Sequence, residues 1–272
     1  MKGFFYVNKI LGVISVVIMI VAMGYLVVSE SRTDTKAQAD NSKTEQTNTT
    51  SATEESTEKA TKKPTSSDLP DVKLDDWSLV LVGPDHKIET EIDEANQLAA
   101  LDNGYLIDKR IKADYEELAN AAKAAGFPLV MVSAYRSVAT QQEVFVQNVQ
   151  QVMSSQGVTE EEATAITKKT MTEPGYSEHH TGLAVDVVDE TWYNNYPNTV
   201  LDEKYGDEPG AKWLADNASK YGFIIRYPKG REDITKITYE PWHLRYVGKE
   251  SAEYITSNDL TMEEYLDQLK EK

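Results

Sequence analysis

The feature that most restricts this chain is where its apolar residues lie. Residues 10–28 form an apolar run without a charge, and residues 29–70 are dominated by Ser, Thr, Glu, Lys, Asn and Gln. Only beyond them do aromatic and branched residues return. The run has the length of one helical crossing of a bilayer. Lys2 and Lys9 precede it, which under the positive-inside rule leaves residues 1–9 in the cytoplasm. A cleaved signal peptide is the competing reading, but the A-x-A-like Ala37-Gln38-Ala39 lies well past the run, so a retained anchor at 10–28 is expected. Residues 29–70 hold too little apolar surface to offset the entropy of ordering, and a disordered linker is expected there. Folding is thereby confined to 71–272. The expected location is the cell membrane, single-pass, with the folded part outside.

Within 71–272, periodicity separates helices from strands. Residues 77–82 read as a short strand ended by Gly83-Pro84-Asp85, and residues 129–133 as a buried strand. Leu118, Ala119, Ala122 and Ala125 share a helical face within 111–126, with Gly126 as a stop. Ser137 is placed to cap a helix reaching about residue 153, and 158–171 predict another. A strand near 183–188, a helix over 210–221, strands at 223–227 and 237–247, and C-terminal helices complete the pattern. Helices and strands mix without regular βαβ alternation, which points to an α+β fold.

The chemistry is narrowed by what the chain lacks. With no cysteine there is no disulfide, thiolate zinc site or cysteine nucleophile, so any metal falls to His, Asp or Glu. A net charge of −17 argues against a nucleic-acid surface. Ser56-Thr57-Glu58-Lys59 spells S-x-x-K, but that motif needs a rigid helix start inside a pocket and here it falls in the linker. No H-E-x-x-H helix is present. Three clusters stand out: 133–137 (SAYRS), 177–186 (SEHHTGLAVD) and 240–246 (EPWHLRY), and the last two hold three of the four histidines. Catalytic zinc takes three protein N or O ligands and leaves a position open. Asp186 closes an apolar Leu-Ala-Val run, where a charge is costly unless paired or metal-bound. Glu240 stands three positions before His243, where a base for water belongs. For each histidine alone, an exposed loop position or a hydrogen-bonded core position is the plainer alternative; three clusters together argue against it.

These clusters carry a resemblance. SEHHTGLAVD fits the S-x-H-x-x-G-x-A-x-D signature of D-Ala-D-Ala metallopeptidases, and EPWHLRYVG is similar to the second metal motif of their VanY branch. SAYRS with Gln141 and Phe145 resembles that branch's S-G-Y-R-S…Q…F stretch, with Ala134 replacing glycine. Residues 107–110 (IDKR) and 222–228 (GFIIRYP) extend the likeness over about 76–248. The resemblance is to VanY-type D,D-/L,D-carboxypeptidases, grouped with the lysostaphin and hedgehog zinc domains. It implies a compact α+β zinc-peptidase domain with a central antiparallel sheet flanked by helices.

The same resemblance implies one Zn2+ per chain on His179, Asp186 and His243. Glu240 would be the base that takes a proton from the attacking water and returns it to the leaving amine. Arg136 would face the substrate, either at its terminal carboxylate or at the developing oxyanion, and Gln141 and Ser177 match positions lining the family's substrate pocket. His180 falls on a variable position and stays outside the ligand set. Tyr135 and Trp242 are expected to shape the pocket, and Asp108, Arg110 and Arg245 to form structural ion pairs. The implied activity is removal of the C-terminal D-alanine from peptidoglycan stem peptides by a membrane-held monomer. The alternatives are a cross-bridge endopeptidase of the same fold and a non-catalytic zinc module that binds the wall. D,D- against L,D-specificity rests on pocket shape, to which residues between 153 and 175 are expected to contribute.

Overall fold

The computed structural model describes residues 69–272; the expected N-terminus at 1–9, the anchor at 10–28 and the linker up to 68 lie outside the described residues. No helix among the described residues is long and apolar enough to cross a membrane. Composition places Leu69 and Pro70 in the linker, yet the fold includes both. Leu69 is buried in a cluster with the C-terminal helices, and Lys272 Nζ donates to Pro70 O at 3.1 Å. One leucine in a polar stretch has no periodicity to betray it.

The helices form where caps and apolar spacing coincide. In α1 (Lys112–Ala124), Tyr115, Leu118 and Ala122 recur on one face and are buried. In α2 (Val138–Gln156), Ser137 Oγ accepts from Thr140 N at 3.1 Å, and Gly157 closes the helix. A capping box between Thr159 and Glu162 opens α3 (Glu160–Thr167). Pro209 begins α4 (Pro209–Asn217), where its missing N–H costs nothing. The C-terminal pair is α5 (Lys249–Ser257) and α6 (Met262–Glu271), the latter with a second capping box between Thr261 and Glu264.

A two-stranded hairpin pairs β1 (Leu98–Ala100) with β2 (Leu106–Asp108). The main sheet contains β3 (Leu129–Ser133), β4 (Ala184–Asp189), β5 (Phe223–Ile225) and β6 (His243–Tyr246). Its order is β3-β4-β6-β5, and every pairing is antiparallel. Directly opposed residues share a face. Val185 and Leu244 therefore point one way, into the core built with Leu118, Leu214 and Phe223. Asp186 and His243 point the other way together. Ser133 joins them, because a bulge between Met131 and Ser133 brings it opposite Asp186. A second cluster gathers Leu69, Leu79 and Ile224 with Met262 and Tyr265, and a third joins α2 to α3 through Phe145, Val149 and Ala163.

Two expected strands are corrected. Residues 77–82 contain a short 3-10 turn, Trp77–Leu79, capped by Asp76. The carbonyls of Ser78 and Val80, which a strand would direct to a neighbour, accept instead from Arg245 Nη2 at 3.0 and 2.7 Å. Of 237–247 only His243–Tyr246 is strand. Pro241 has no N–H for a ladder, and Glu240 N bonds to Tyr227 O at 3.1 Å. Helix 210–221 also divides, with a 3-10 turn, Ala218–Tyr221, following α4.

Candidate metal centre

The segment 177–186 folds as a 3-10 turn, Glu178–Thr181, running into β4. Ser177 Oγ accepts from His179 N at 3.4 Å at its start. Gly182 ends it at φ 66°, where a Cβ would stand 2.9 Å from Asp108 N, so no larger residue fits without a shift. The turn delivers His179 beside Asp186, and the β4–β6 register delivers His243. His179 Nε2 lies 3.2 Å from Asp186 Oδ2, and His243 Nδ1 lies 3.0 Å from Asp186 Oδ1. One ligand atom from each residue falls within 4.8 Å of the others, and all three residues are buried. The structure thus brings together the three residues expected to hold a metal.

Whether a cation fits is decided by the donor atoms that converge. His179 Nε2, His243 Nδ1 and both carboxylate oxygens of Asp186 are turned toward one another in a buried cluster, 3.0 to 3.2 Å apart. Such atoms are costly in a fold unless something else satisfies them. Two imidazole nitrogens converging on one carboxylate, all buried and within 4.8 Å of one another, form a donor set that suits one divalent ion.

His243 is oriented from behind. Its Nε2 lies 3.1 Å from Glu178 Oε2, so the ring's N–H on that side meets a carboxylate and Nδ1 is turned to Asp186. Glu178 in turn accepts from Arg226 Nε and Arg245 Nη1, both at 2.7 Å, and Arg226 also grips Glu263 of α6 at 2.6 and 3.0 Å. Burial alone would raise Glu178, but Arg226 and Arg245 hold it well below the usual carboxylate range. Burial likewise opposes ionisation of Asp186, and the two histidines overcome it and hold it far down. Burial also works against a charged His243, yet its bonds to Asp186 and Glu178 raise it to about 10. For His179, burial prevails and the pKa falls.

Sequence reasoning missed Glu178 and Arg226 and named Arg245 only as an ion-pair member. The signal was present: Arg226 and Arg245 each interrupt an apolar strand-like run, where a charge calls for a partner. Asp108 and Arg110 pair with each other, away from this network.

Glu240 Oε2 lies 3.7 Å from His243 Nδ1. Burial raises Glu240 to about 8, helped by Asp186 and Glu178 and opposed by His243 and Arg136. Glu240 lines a cavity of about 290 Å³ together with Arg136, Gln141, Ser177, Trp242 and the metal group. Arg136 Nη1 donates to Gln141 Oε1 and Nη2 to Ser133 Oγ, each at 2.7 Å. Among the described residues no carboxylate lies within ion-pair distance of Arg136, in contrast to Arg226 and Arg245. Burial lowers its pKa, while Asp186 and Glu240 raise it. Gln141 Nε2 donates to Thr172 O at 2.7 Å, so its amide serves Arg136 on one side and the cavity wall on the other. Thr170, Met171 and Thr172 line that wall, as the residues between 153 and 175 were expected to do. Tyr135 lies off the cavity, its hydroxyl donating to Glu94 at 2.8 Å.

Fold and cluster together define an α+β domain built around one metal centre. The chain belongs to the VanY family: the model of that family, D-alanyl-D-alanine carboxypeptidase, matches residues 104–249. A D-alanyl-D-alanine carboxypeptidase of Enterococcus faecalis is 37% identical over 191 residues, covering 70% of this chain and 66% of that relative. Across the curated relatives it matches, the chain spans from about half to about two thirds of their length. Among solved structures, a vancomycin-resistance D,D-pentapeptidase VanY variant in complex with Zn(II) aligns with TM-score 0.59 and 35% identity. That match covers 70% of this chain and 99% of the other. The LD-carboxypeptidase LdcB aligns with TM-score 0.58 and 38% identity, covering 69% and 85%.

Proposed function

We propose that this chain is a zinc carboxypeptidase that removes the terminal D-alanine of peptidoglycan stem peptides. One observation carries the choice of a chain-end enzyme. Arg136 is a largely buried guanidinium with no carboxylate partner among the described residues, lining the same cavity as the metal group. A guanidinium offers a fork suited to a carboxylate, and an endopeptidase has no terminal carboxylate to give it.

His179, Asp186 and His243 would hold Zn2+, which supplies Lewis acidity for the scissile carbonyl and acidifies the attacking water. Glu240 takes a proton from that water as its oxygen bonds to the carbonyl carbon. Glu240 then gives the proton to the amide nitrogen as the C–N bond breaks, releasing D-alanine. Glu240 lines the same cavity as the metal group, 3.7 Å from His243 Nδ1, where a residue that accepts and returns the water's proton belongs. Arg136 holds the terminal carboxylate, steadied by Gln141 and Ser133, and Ser177 lines the same cavity. The similarity to both a D,D-pentapeptidase and an LD-carboxypeptidase supports the carboxypeptidase reading and leaves the penultimate residue to experiment. Residues 10–28 would anchor the enzyme as a monomer with its domain facing the wall, a reading supported by the sequence.

The test is incubation of the protein with muropeptides ending as penta- and tetrapeptides, followed by mass spectrometry. Loss of one terminal alanine, abolished by chelation, is expected, and the chain length that reacts assigns D,D- or L,D-specificity. Cleavage confined to cross-bridges would establish the endopeptidase alternative instead.

A further inference from the structure

His180 is buried and stands outside the metal group. Its ring joins two separate segments. Nε2 lies 3.0 Å from Gly175 N, and Nδ1 lies 2.7 Å from Arg136 O. A backbone N–H can only donate and a carbonyl can only accept, so Nε2 is the acceptor and Nδ1–H the donor. Both partners are main-chain groups, and they fix one neutral tautomer.

The contacts around this ring close a circuit. Arg136 N donates to His179 O at 3.2 Å, so both backbone groups of Arg136 are tied to successive histidines. Gly175 O accepts from Ile88 N at 2.8 Å, which pins the far end of the bridge. From the other side, Gln141 joins the Arg136 guanidinium to Thr172 O. Thr172 belongs to the cavity wall. Arg136 is therefore gripped twice against residues 172–175, by its side chain through Gln141 and by its backbone through His180.

We propose that His180 is a positioning residue for substrate recognition: it sets Arg136 against the cavity wall so that the guanidinium meets the terminal carboxylate of the peptide. This deepens the function proposed above and rests on it. Space-filling alone does not account for the ring, because its two nitrogens satisfy two backbone groups that a leucine of similar volume would leave unpaired. Glutamine presents a carbonyl oxygen and an amide N–H about as far apart as the ring nitrogens, so it can restore both bonds.

The experiment compares full-length wild type, His180→Leu and His180→Gln on a stem peptide with a free C-terminus and on the same peptide amidated. kcat, KM, zinc content and Tm are measured for each. His180→Leu is expected to raise KM for the free-carboxylate peptide roughly 10- to 100-fold, to move kcat and zinc content far less, and to shrink the preference over the amide. His180→Gln is expected to recover most of that preference. A wild type indifferent to amidation overturns the Arg136 reading and this proposal with it. A discriminating wild type matched by an equally discriminating His180→Leu overturns only the role of His180. So does a loss that follows Tm or zinc content and is not rescued by glutamine.

Discussion

At the scale of single residues, Glu240 carries the sharpest prediction. It lies close to His243 but is not among the three grouped ligands. Glu240→Gln should therefore keep zinc and fold while turnover falls roughly 10²- to 10⁴-fold. Metal analysis alongside kcat checks this, and near-normal turnover would assign the proton transfer elsewhere. The residues around it were legible to different degrees. His179, Asp186 and His243 were legible as a ligand set through the resemblance that their motifs carry, and the apolar setting of Asp186 added a separate reason for a partner. Glu178 did not, although it adjoins His179 in the chain. Its partners Arg226 and Arg245 lie 48 and 67 positions away, and local sequence cannot display such a meeting. Gln141 was legible as a pocket residue, but its double service to Arg136 and Thr172 needed the fold.

Among elements, α6 has more to do with the metal centre than its position suggests. It lies beyond residue 249, where the family match stops, yet Glu263 supplies the two-oxygen partner of Arg226, which supports Glu178 and through it His243. Removing that carboxylate leaves a fully buried guanidinium with half its partners and adds net positive charge behind a metal ligand. Glu263→Ala should destabilise the protein by about 3 kcal/mol and weaken zinc binding. Chemical denaturation and zinc titration check the two effects, and an unchanged zinc affinity would confine Glu263 to a packing role. The helix after Ser137 was readable because cap and spacing agreed there, whereas the capping box at Thr159 and the helix start at Pro209 became plain only in the fold. The strand expected at 77–82 was not, since its carbonyls are taken by Arg245, a residue outside any sequence window that covers them.

For the whole molecule, the boundary of the folded unit is open to test. Among the described residues the fold begins at Leu69, which is buried in the C-terminal cluster. A chain starting at residue 63 should be stable, whereas one starting at residue 73 should lose about 2 kcal/mol from Leu69 alone. Paired urea midpoints decide this; equal midpoints would return Leu69 to the linker. The pairing of Asp186 with His243 across β4 and β6 reaches further. Slipping that pairing by one residue would turn Val185 or Leu244 into the place of a ligand. A misregistered copy could then capture no ion, while a correct one is stabilised as soon as it does. Metal uptake thus acts as an inspection of workmanship: the ion retains the copies whose strands are aligned and leaves the others open to proteolysis.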